Sequence, residues 1–401
     1  MENTVATELR IGVVGLGRAG ASMLSAMLRH PDIKVTAAAD PIAEHRARFE
    51  AEVGGETYLT ADELCQKAPV DVVYVATPHE FHADHAVAAA RHGKHVIVEK
   101  PMAITLEDCD RIIDATDKAG VKLVVGHTAS FNPSVLKMRE LIIRGEVGRL
   151  GMISATAYTD FLYRPRRPEE LVTELGGGII YNQVPHQVDA SRFLAGGMAR
   201  SVRAVTWILD PARPTEGSYM ALLDFESGAA ASLVYSGYDH FDSSDIATGR
   251  GNKAPERYGA IRRALSSAHT PEEEVAMRVS TGYGGEHSVA RRAEGGSMLQ
   301  GELGSFLVSC ADADLRLTPD GVAVYGNEGL RTVAPNPWRG VPGRGNTLDE
   351  LYYAVTAGRP VVHHGRWAKA TMEVCIAMLQ SARERREITL KHQVPTVDVE
   401  G

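Results

Sequence analysis

Leu9-Arg10-Ile11-Gly12-Val13-Val14-Gly15-Leu16-Gly17-Arg18-Ala19-Gly20 decides how the chain begins to fold. Leu9 to Val14 is a short β-type run, a GxGxxG follows at once, and a helix-like stretch runs from Ala21 to Arg29. A GxGxxG alone is a weak mark, but between a strand and a helix it has the context that dinucleotide binding requires. Gly15 permits the tight turn, Gly17 lets the backbone approach a pyrophosphate, and Gly20 allows close helix–strand packing. The helix N-terminus, with Leu16, Arg18 and Ala19 around it, offers N–H groups and partial positive charge to the phosphates. Taken alone, the same residues also make an ordinary glycine-rich βα turn.

The chain downstream supports the first alternative. A second strand, Ile33 to Ala39, ends in Asp40, whose carboxylate can accept both hydrogen bonds of an adenosine ribose diol and would repel a 2′-phosphate. Pro41 follows, and Arg46 and Arg48 are most simply helix-surface charges, so the expected cofactor is NAD. Val72 to Ala76 is another buried strand and ends in Thr77-Pro78-His79-Glu80-Phe81-His82. A helix from Ala83 to His92 stops at Gly93, and strands follow at Lys94–Val98 and Val121–Val125. Strands alternating with helices at short spacing predict a parallel, doubly wound α/β sheet. In His95-Val96-Ile97-Val98-Glu99-Lys100-Pro101 the β-branched run reads as a strand buried on both faces, which Pro101 must end. Lys100 then sits at the carboxyl end of a central strand, where open α/β sheets bind ligands. His79, His82, His85, His92 and His95 invite a metal, but no cysteine or carboxylate completes a set on the same helix face, so none is expected.

From Leu150 the pattern changes. Leu150–Tyr158, Ser201–Ile208, Tyr219–Phe225 and Ala229–Ser236 read as strands, preceded in part by a helix from Gln183 to Leu194. Strands without intervening helices predict a C-terminal α+β domain with an open-faced, mainly antiparallel sheet. The expected division is 1–127 for dinucleotide binding and 128–401 for substrate and oligomer contacts. An insertion at about 237–301, with a helical piece near Arg257 to Ser266, is expected to be a lid, an oligomer contact or partly disordered. Strand-like pieces resume at Phe306–Ser309, Leu315–Leu317 and Val322–Tyr325, and helices at Leu348–Ala357 and Trp367–Arg385 close the chain.

Across 401 residues the composition is that of a soluble protein, 44% hydrophobic and 23% charged with formal charge −8. That mild acidic excess argues against nucleic acid or an anionic membrane as partner. There is no run of eighteen apolar residues, and residues 1–8 lack the apolar centre of a signal peptide. Four scattered cysteines without a CxxC pair read as reduced thiols, so a cytoplasmic location is expected.

These motifs together resemble the Gfo/Idh/MocA oxidoreductase family over nearly the whole chain. The marks are the GxGxxG, Thr77-Pro78 with His82, Gly93-Lys94-His95 leading to Glu99-Lys100-Pro101, Asn132-Pro133, and Gly176-Gly177-Gly178 with His186 and Asp189. The resemblance implies a dinucleotide between the two domains, Lys100 as an active-site lysine, His186 as acid/base, and a homo-oligomer (dimer or tetramer). One departure stands out: the family usually carries Asp four residues before that histidine, and this chain has Asn182. An amide can hydrogen-bond a substrate hydroxyl or His186 but cannot take up a proton. Phe161 to Leu171, with Tyr163, Arg164, Arg166 and Arg167, falls where the family lines its substrate pocket. Arginine forks match carboxylates bidentately, so a dianionic substrate is expected, although the same residues fit a solvated basic loop. This stretch, together with Asn182 to Asp189 and the long insertion, resembles the phthalate cis-4,5-dihydrodiol dehydrogenase branch. Two other readings stay open, a dehydrogenase of a sugar, cyclitol or sugar acid and a non-catalytic dinucleotide sensor.

Overall fold

The computed structural model describes residues 8–126, 128–243, 245, 259–266, 270–280, 282–283, 303–318, 321–336 and 344–397. The remainder of the expected insertion lies outside the described residues.

The first half alternates β1 (Leu9–Val14), α1 (Arg18–Met27), β2 (Ile33–Ala39), α2 (Ala43–Val53), β3 (Glu56–Tyr58), α3 (Ala61–Lys67), β4 (Val72–Val75), α4 (His82–Arg91), β5 (His95–Val98), α5 (Leu106–Ala119) and β6 (Leu123–Val125). Its six strands are parallel in the order β3-β2-β1-β4-β5-β6. Helices cover both faces, so β4 is buried at every residue and shows no polar alternation. Side chains set the helix limits: Thr60 accepts the Glu63 N–H at 3.2 Å and Thr105 the Asp108 N–H at 3.0 Å. The strand order reverses between β1 and β4, which is where a doubly wound sheet opens a ligand crevice. β5 is therefore next to the edge strand and not central, although Lys100 still follows its carboxyl end.

The second half contains α6 (Pro133–Ile143), β7 (Leu150–Tyr158), α7 (Gly178–Asn182), α8 (Val184–Ala195), β8 (Ala199–Trp207), β9 (Ser218–Phe225), β10 (Ala230–Ser236), α9 (Ala260–Ser266) and α10 (Pro271–Ser280). It continues with β11 (Ser305–Cys310), β12 (Ala313–Thr318), β13 (Gly321–Gly326), β14 (Gly329–Val333), α11 (Gly345–Thr356), α12 (Gly365–Glu384) and β15 (Ile388–Thr389). Nine strands form one sheet in the order β14-β13-β12-β11-β7-β10-β9-β8-β15, antiparallel except for the β7–β10 pair. Residues on its inner face, such as Ile153, Ala155, Leu233 and Tyr235, are buried, while Val205, Trp207, Met220 and Leu222 are exposed on the other. Among the described residues no helix is long and apolar enough to cross a membrane.

The expected boundary at residue 127 does not close the first core. Leu348, Leu351 and Tyr352 of α11 pack into the cluster that holds Ile11, Val13 and Leu24. The chain thus returns to the parallel sheet after building the antiparallel one.

A buried polar network ties these layers together. Asp189 on α8 accepts hydrogen bonds from the Ser130 N–H at 3.1 Å, the Ser130 hydroxyl, and Trp367 Nε1 of α12 at 2.7 Å. Ser130 Oγ also lies 2.6 Å from His363 Nε2, and His363 Nδ1 lies 2.8 Å from Glu350 Oε2 of α11. The one hydroxyl proton of Ser130 goes to Asp189, so both imidazole nitrogens must donate, which makes His363 an imidazolium. Burial alone would lower the His363 pKa, but Glu350 and then Asp189 outweigh it and raise the value. A raised folded-state pKa contributes stability that is fully present below the ordinary value near ~6.5 and is lost as pH rises through the raised value. The difference in urea unfolding free energy between wild type and His363→Gln should accordingly be largest in mild acid and shrink towards alkaline pH. A difference that grows with pH would show that the imidazole is buried neutral.

Candidate active site

A crevice of about 720 Å³ runs along the carboxyl edge of the parallel sheet, with walls from both halves of the chain. At one end stands the glycine turn. Gly15 has φ +94°, and a Cβ there would meet the Ala76 carbonyl oxygen at 2.7 Å. A Cβ on Gly20 would lie 1.9 Å from the Gly15 carbonyl oxygen, so α1 can approach the turn only with glycine at that position. Gly17 differs: its φ of −62° suits any residue, and nothing lies within 4 Å of its would-be Cβ. What requires glycine there is the space in front of it, which suits the backbone approach of a pyrophosphate. α1 has no side-chain cap and no acid in its first turn, so its positive end is left for a ligand.

Asp40 is buried in the crevice wall. Its Oδ2 accepts the Leu16 N–H at 2.7 Å, its Oδ1 accepts the Ile42 N–H at 2.8 Å, and His45 Nδ1 stands 3.3 Å away. Leu16, expected to contact the cofactor, is fully buried with its N–H given to Asp40, and neither it nor Gly20 lines the crevice. Gly15, Gly17, Arg18, Ala19, Thr77, Pro78, His82, Glu99 and Lys100 do line it. His82 lies between the carbonyls of Thr77 (2.9 Å) and Pro101 (2.8 Å); burial lowers its pKa and these two carbonyls oppose that shift. Glu99 accepts from Tyr74 Oη at 2.7 Å and Arg344 Nη1 at 3.0 Å.

At the other end Lys100 Nζ donates to the Asn182 carbonyl at 2.7 Å, and His186, on the first turn of α8, lines the same space. Asn182 spends its amide Nδ2 on the Gly178 carbonyl at 2.8 Å and the Gly176 carbonyl at 3.4 Å. This side chain braces the glycine run, and no bond to His186 is formed by that amide nitrogen. His79, weighed in the sequence only as a metal ligand, joins the site: its Nδ1 donates to the Gly176 carbonyl at 3.1 Å. Burial, then His82 and Lys100, bring its pKa down to about 3, so it is a neutral imidazole. Among the described residues no group of three or more His, Cys, Asp or Glu side chains could hold a metal.

The arginine stretch enters the crevice wall, with acids attached. Arg164 pairs with Asp160 at 2.8 Å. Arg166 is buried, donates to the Phe161 carbonyl at 2.8 Å, stacks 3.9 Å over the Phe161 ring and reaches Glu170 at 3.4 Å. Arg167 stands between Glu80 (3.5 Å) and Glu170 (3.6 Å). The three arginines lie between two 3₁₀ turns, Phe161–Tyr163 and Pro168–Leu171, with Arg164 and Arg167 in extended backbone, and all three line the crevice. Tyr163 is no crevice residue: it packs with Leu162, Tyr238 and Leu265 and donates to Asp210 at 2.6 Å.

Within the insertion, Arg278, Val279 and Gly282 line the crevice. Glu274 of α10 accepts from the Arg166 N–H at 2.6 Å and from Arg213 at 2.7 Å, and Arg278 pairs with Glu170 at 3.0 Å. The Tyr283 N–H then donates to the Leu16 carbonyl at 2.9 Å and Tyr283 Oη to Glu52 at 2.6 Å. This strap touches both halves of the chain, which no local sequence signal announces.

Comparison with known proteins agrees with this geometry. A family model described as oxidoreductase family, NAD-binding Rossmann fold, matches residues 9–127, and the GFO/IDH/MocA C-terminal domain matches 135–250. The chain is 39% identical over 383 residues to 1-carboxy-3-chloro-3,4-dihydroxycyclohexa-1,5-diene dehydrogenase of Comamonas testosteroni, covering 94% of this chain and 95% of that one. It is 43% identical, with TM-score 0.89, to a structure described as a dehydrogenase from Bordetella bronchiseptica RB50, covering 96% and 100% of the two chains. The WlbA dehydrogenase of Bordetella pertussis, solved with NADH and UDP-GlcNAcA, shares the fold at 21% identity and TM-score 0.69 over 96% of this chain and 99% of that one.

The two glycines separate protein from ligand constraints. Gly17→Ala should keep the thermal midpoint near that of wild type while NADH affinity, read by nucleotide fluorescence, falls. Gly20→Ala should lower both, because its methyl displaces the turn itself. Unchanged NADH affinity in Gly17→Ala would place the pyrophosphate elsewhere.

Proposed function

The chain belongs to the Gfo/Idh/MocA family of NAD-dependent oxidoreductases, and on that footing we propose that it oxidises a cyclic cis-diol carrying a ring carboxylate to the corresponding catechol. Phthalate cis-4,5-dihydrodiol, giving 4,5-dihydroxyphthalate, is a member of this class. The observation that carries the proposal is the full-length likeness to a dehydrogenase whose named substrate is a carboxylated dihydroxycyclohexadiene. An arginine-rich crevice wall beside Lys100 and His186 supports it.

NAD, held by the glycine turn, the N-terminus of α1 and Asp40, supplies the hydride acceptor. His186 takes the proton of the substrate hydroxyl as the carbinol C–H is lost. An imidazole, with an ordinary pKa near ~6.5, suits that step at neutral pH. Lys100, steadied by the Asn182 carbonyl, donates to the oxygen on which negative charge develops. The ketone formed loses a ring proton and enolises, and the gain of aromaticity draws the reaction forward. Because Asn182 cannot accept a proton, His186 carries the acid/base work in this scheme.

Purified protein with NAD should reduce the cofactor with carboxylated cis-dihydrodiols, and much more slowly with cyclitols or sugar acids. Faster turnover of the latter group would replace the diol reading with the sugar reading, and no turnover of any diol or sugar would favour a sensor. Lys100→Met and His186→Ala should each lower kcat by roughly 10²–10⁴-fold while NADH binding persists. A variant with near wild-type kcat would return that residue to a structural role.

The exposed row of Val205, Trp207, Met220 and Leu222 is proposed to be covered by a second copy of the chain. Val205 pairs with Met220 across β8 and β9, so these side chains form one contiguous patch, which a two-fold contact can bury against itself. Sedimentation should show an oligomer that Met220→Glu with Leu222→Glu dissociates; a monomeric wild type would overturn this.

A further inference from the structure

The arginines of the crevice are unequal. Arg164 holds Asp160, and Arg166, Arg167 and Arg278 hold Glu170. Arg18 is different. It opens α1 and lines the crevice, and among the described residues no carboxylate makes salt-bridge contact with its guanidinium. Burial, Arg164 and Arg278 lower its pKa to about 10, with Asp160 opposing and Arg344 adding to the decrease. It stays protonated at neutral pH, at a cost in desolvation and like-charge repulsion. A cation kept under those conditions is one for which a ligand supplies the counter-charge.

Its surroundings narrow the choice of ligand. Arg18 starts from the phosphate turn, but Arg164 and Asp160, whose charges reach it, belong to the segment that follows β7 on the substrate side. The free N–H groups at the start of α1 are the natural partners of a pyrophosphate. Arg18 and Arg164 line the same crevice, and the charge of Arg18 is felt on the segment after β7 as well as at the turn.

We propose that Arg18 is the specificity-determining cation of the crevice and takes the ring carboxylate of the substrate. This deepens the cyclic-diol reading and rests on it. A guanidinium binds a carboxylate through two parallel N–H bonds, a geometry that a lysine ammonium cannot reproduce. The loop arginines keep their acids and shape the wall.

The test uses Arg18→Met and Arg18→Lys in the full chain. With a carboxylated cis-dihydrodiol, Arg18→Met should lose roughly ten- to a hundredfold in kcat/KM, as expected for a charge-assisted bond, and Arg18→Lys should recover part of that. With the matching carboxamide diol the same variants should lose little, and the NADH dissociation constant should change less than about threefold. Equal losses on acid and amide would overturn the proposal, as would a loss confined to NADH affinity, which would assign Arg18 to the pyrophosphate. Binding of a dihydroxybenzoate, against its benzamide, to the enzyme–NADH complex gives a readout without turnover. If wild type turned over no diol yet bound the benzoate in an Arg18-dependent way, the reaction would be misassigned and the anchor would stand. If turnover were seen and the benzoate preference survived in Arg18→Met, the anchor would fall and the reaction would stand.

Discussion

The buried carboxylate of Asp189 is the contact on which the working geometry depends. Taking a charge out of water costs several kcal/mol unless partners surround it, at about the same scale as the stability of a whole domain. Asp189 meets that cost with three donors drawn from the segment after β6 and from α12, while Ser130 passes the contact on to His363 and Glu350 of α11. The His363 ring lies 3.6 Å from the Phe131 ring and nearly parallel to it, so the imidazolium is also held by an aromatic face. Several separate segments must be in place before all of these groups are satisfied. His186 sits one helical turn before Asp189, so its place opposite the parallel sheet is set by the same network. Lys100, bonded to the carbonyl of Asn182, fixes the other side of the gap.

The crevice wall follows the same rule with opposite sign. Glu170 gathers Arg166, Arg167 and Arg278; burial alone would raise its pKa, but these cations bring it down to about 2. Arg166, in turn, is pushed down to about 9 chiefly by burial, and remains charged at neutral pH. Such a cluster is rigid because removing one member leaves another charge buried without its partner. It gives the substrate side of the crevice a fixed shape, and it joins the strap of α10 to the loop that the sequence suggested for substrate binding. The acids that organise the loop stand between three and more than a hundred residues away along the chain, from Glu170 and Asp160 to Glu274.

That separation marks how far the sequence could be followed. β1, β2 and β7 begin and end at the expected residues, because the first two are short, mostly apolar runs closed by a glycine turn or an acid and the long strand alternates plainly. α5, capped by the Thr105 side chain, went unread, because its mixed polar surface hid it among the surrounding loops. The apolar stripe of α11 announced a helix without saying which sheet would receive it, and the parallel sheet did. In the site, Lys100 and Asp40 stood out because motif and strand-end position coincide, and His186 because of the motif around it. The partners of Arg164, Arg166 and Arg167 did not, since a charged loop carries no record of the distant acids that will neutralise it.

Gly17 and Arg18 bring these two cases together in adjacent residues. The motif specifies the first and leaves the second open, and only the first has a role that a strand–turn–helix pattern can define. The requirement at Gly17 is for the absence of a side chain, a local property of the turn, and the structure shows the empty space it protects. The significance of Arg18 depends on which of its neighbours already hold counter-charges, a property of the folded crevice as a whole. One short turn thus presents backbone N–H groups to the crevice beside a guanidinium that lines it. On the proposal that Arg18 takes the substrate carboxylate, cofactor and substrate share the first turn of α1, and the distance between them is set by a single rigid element of the sheet edge.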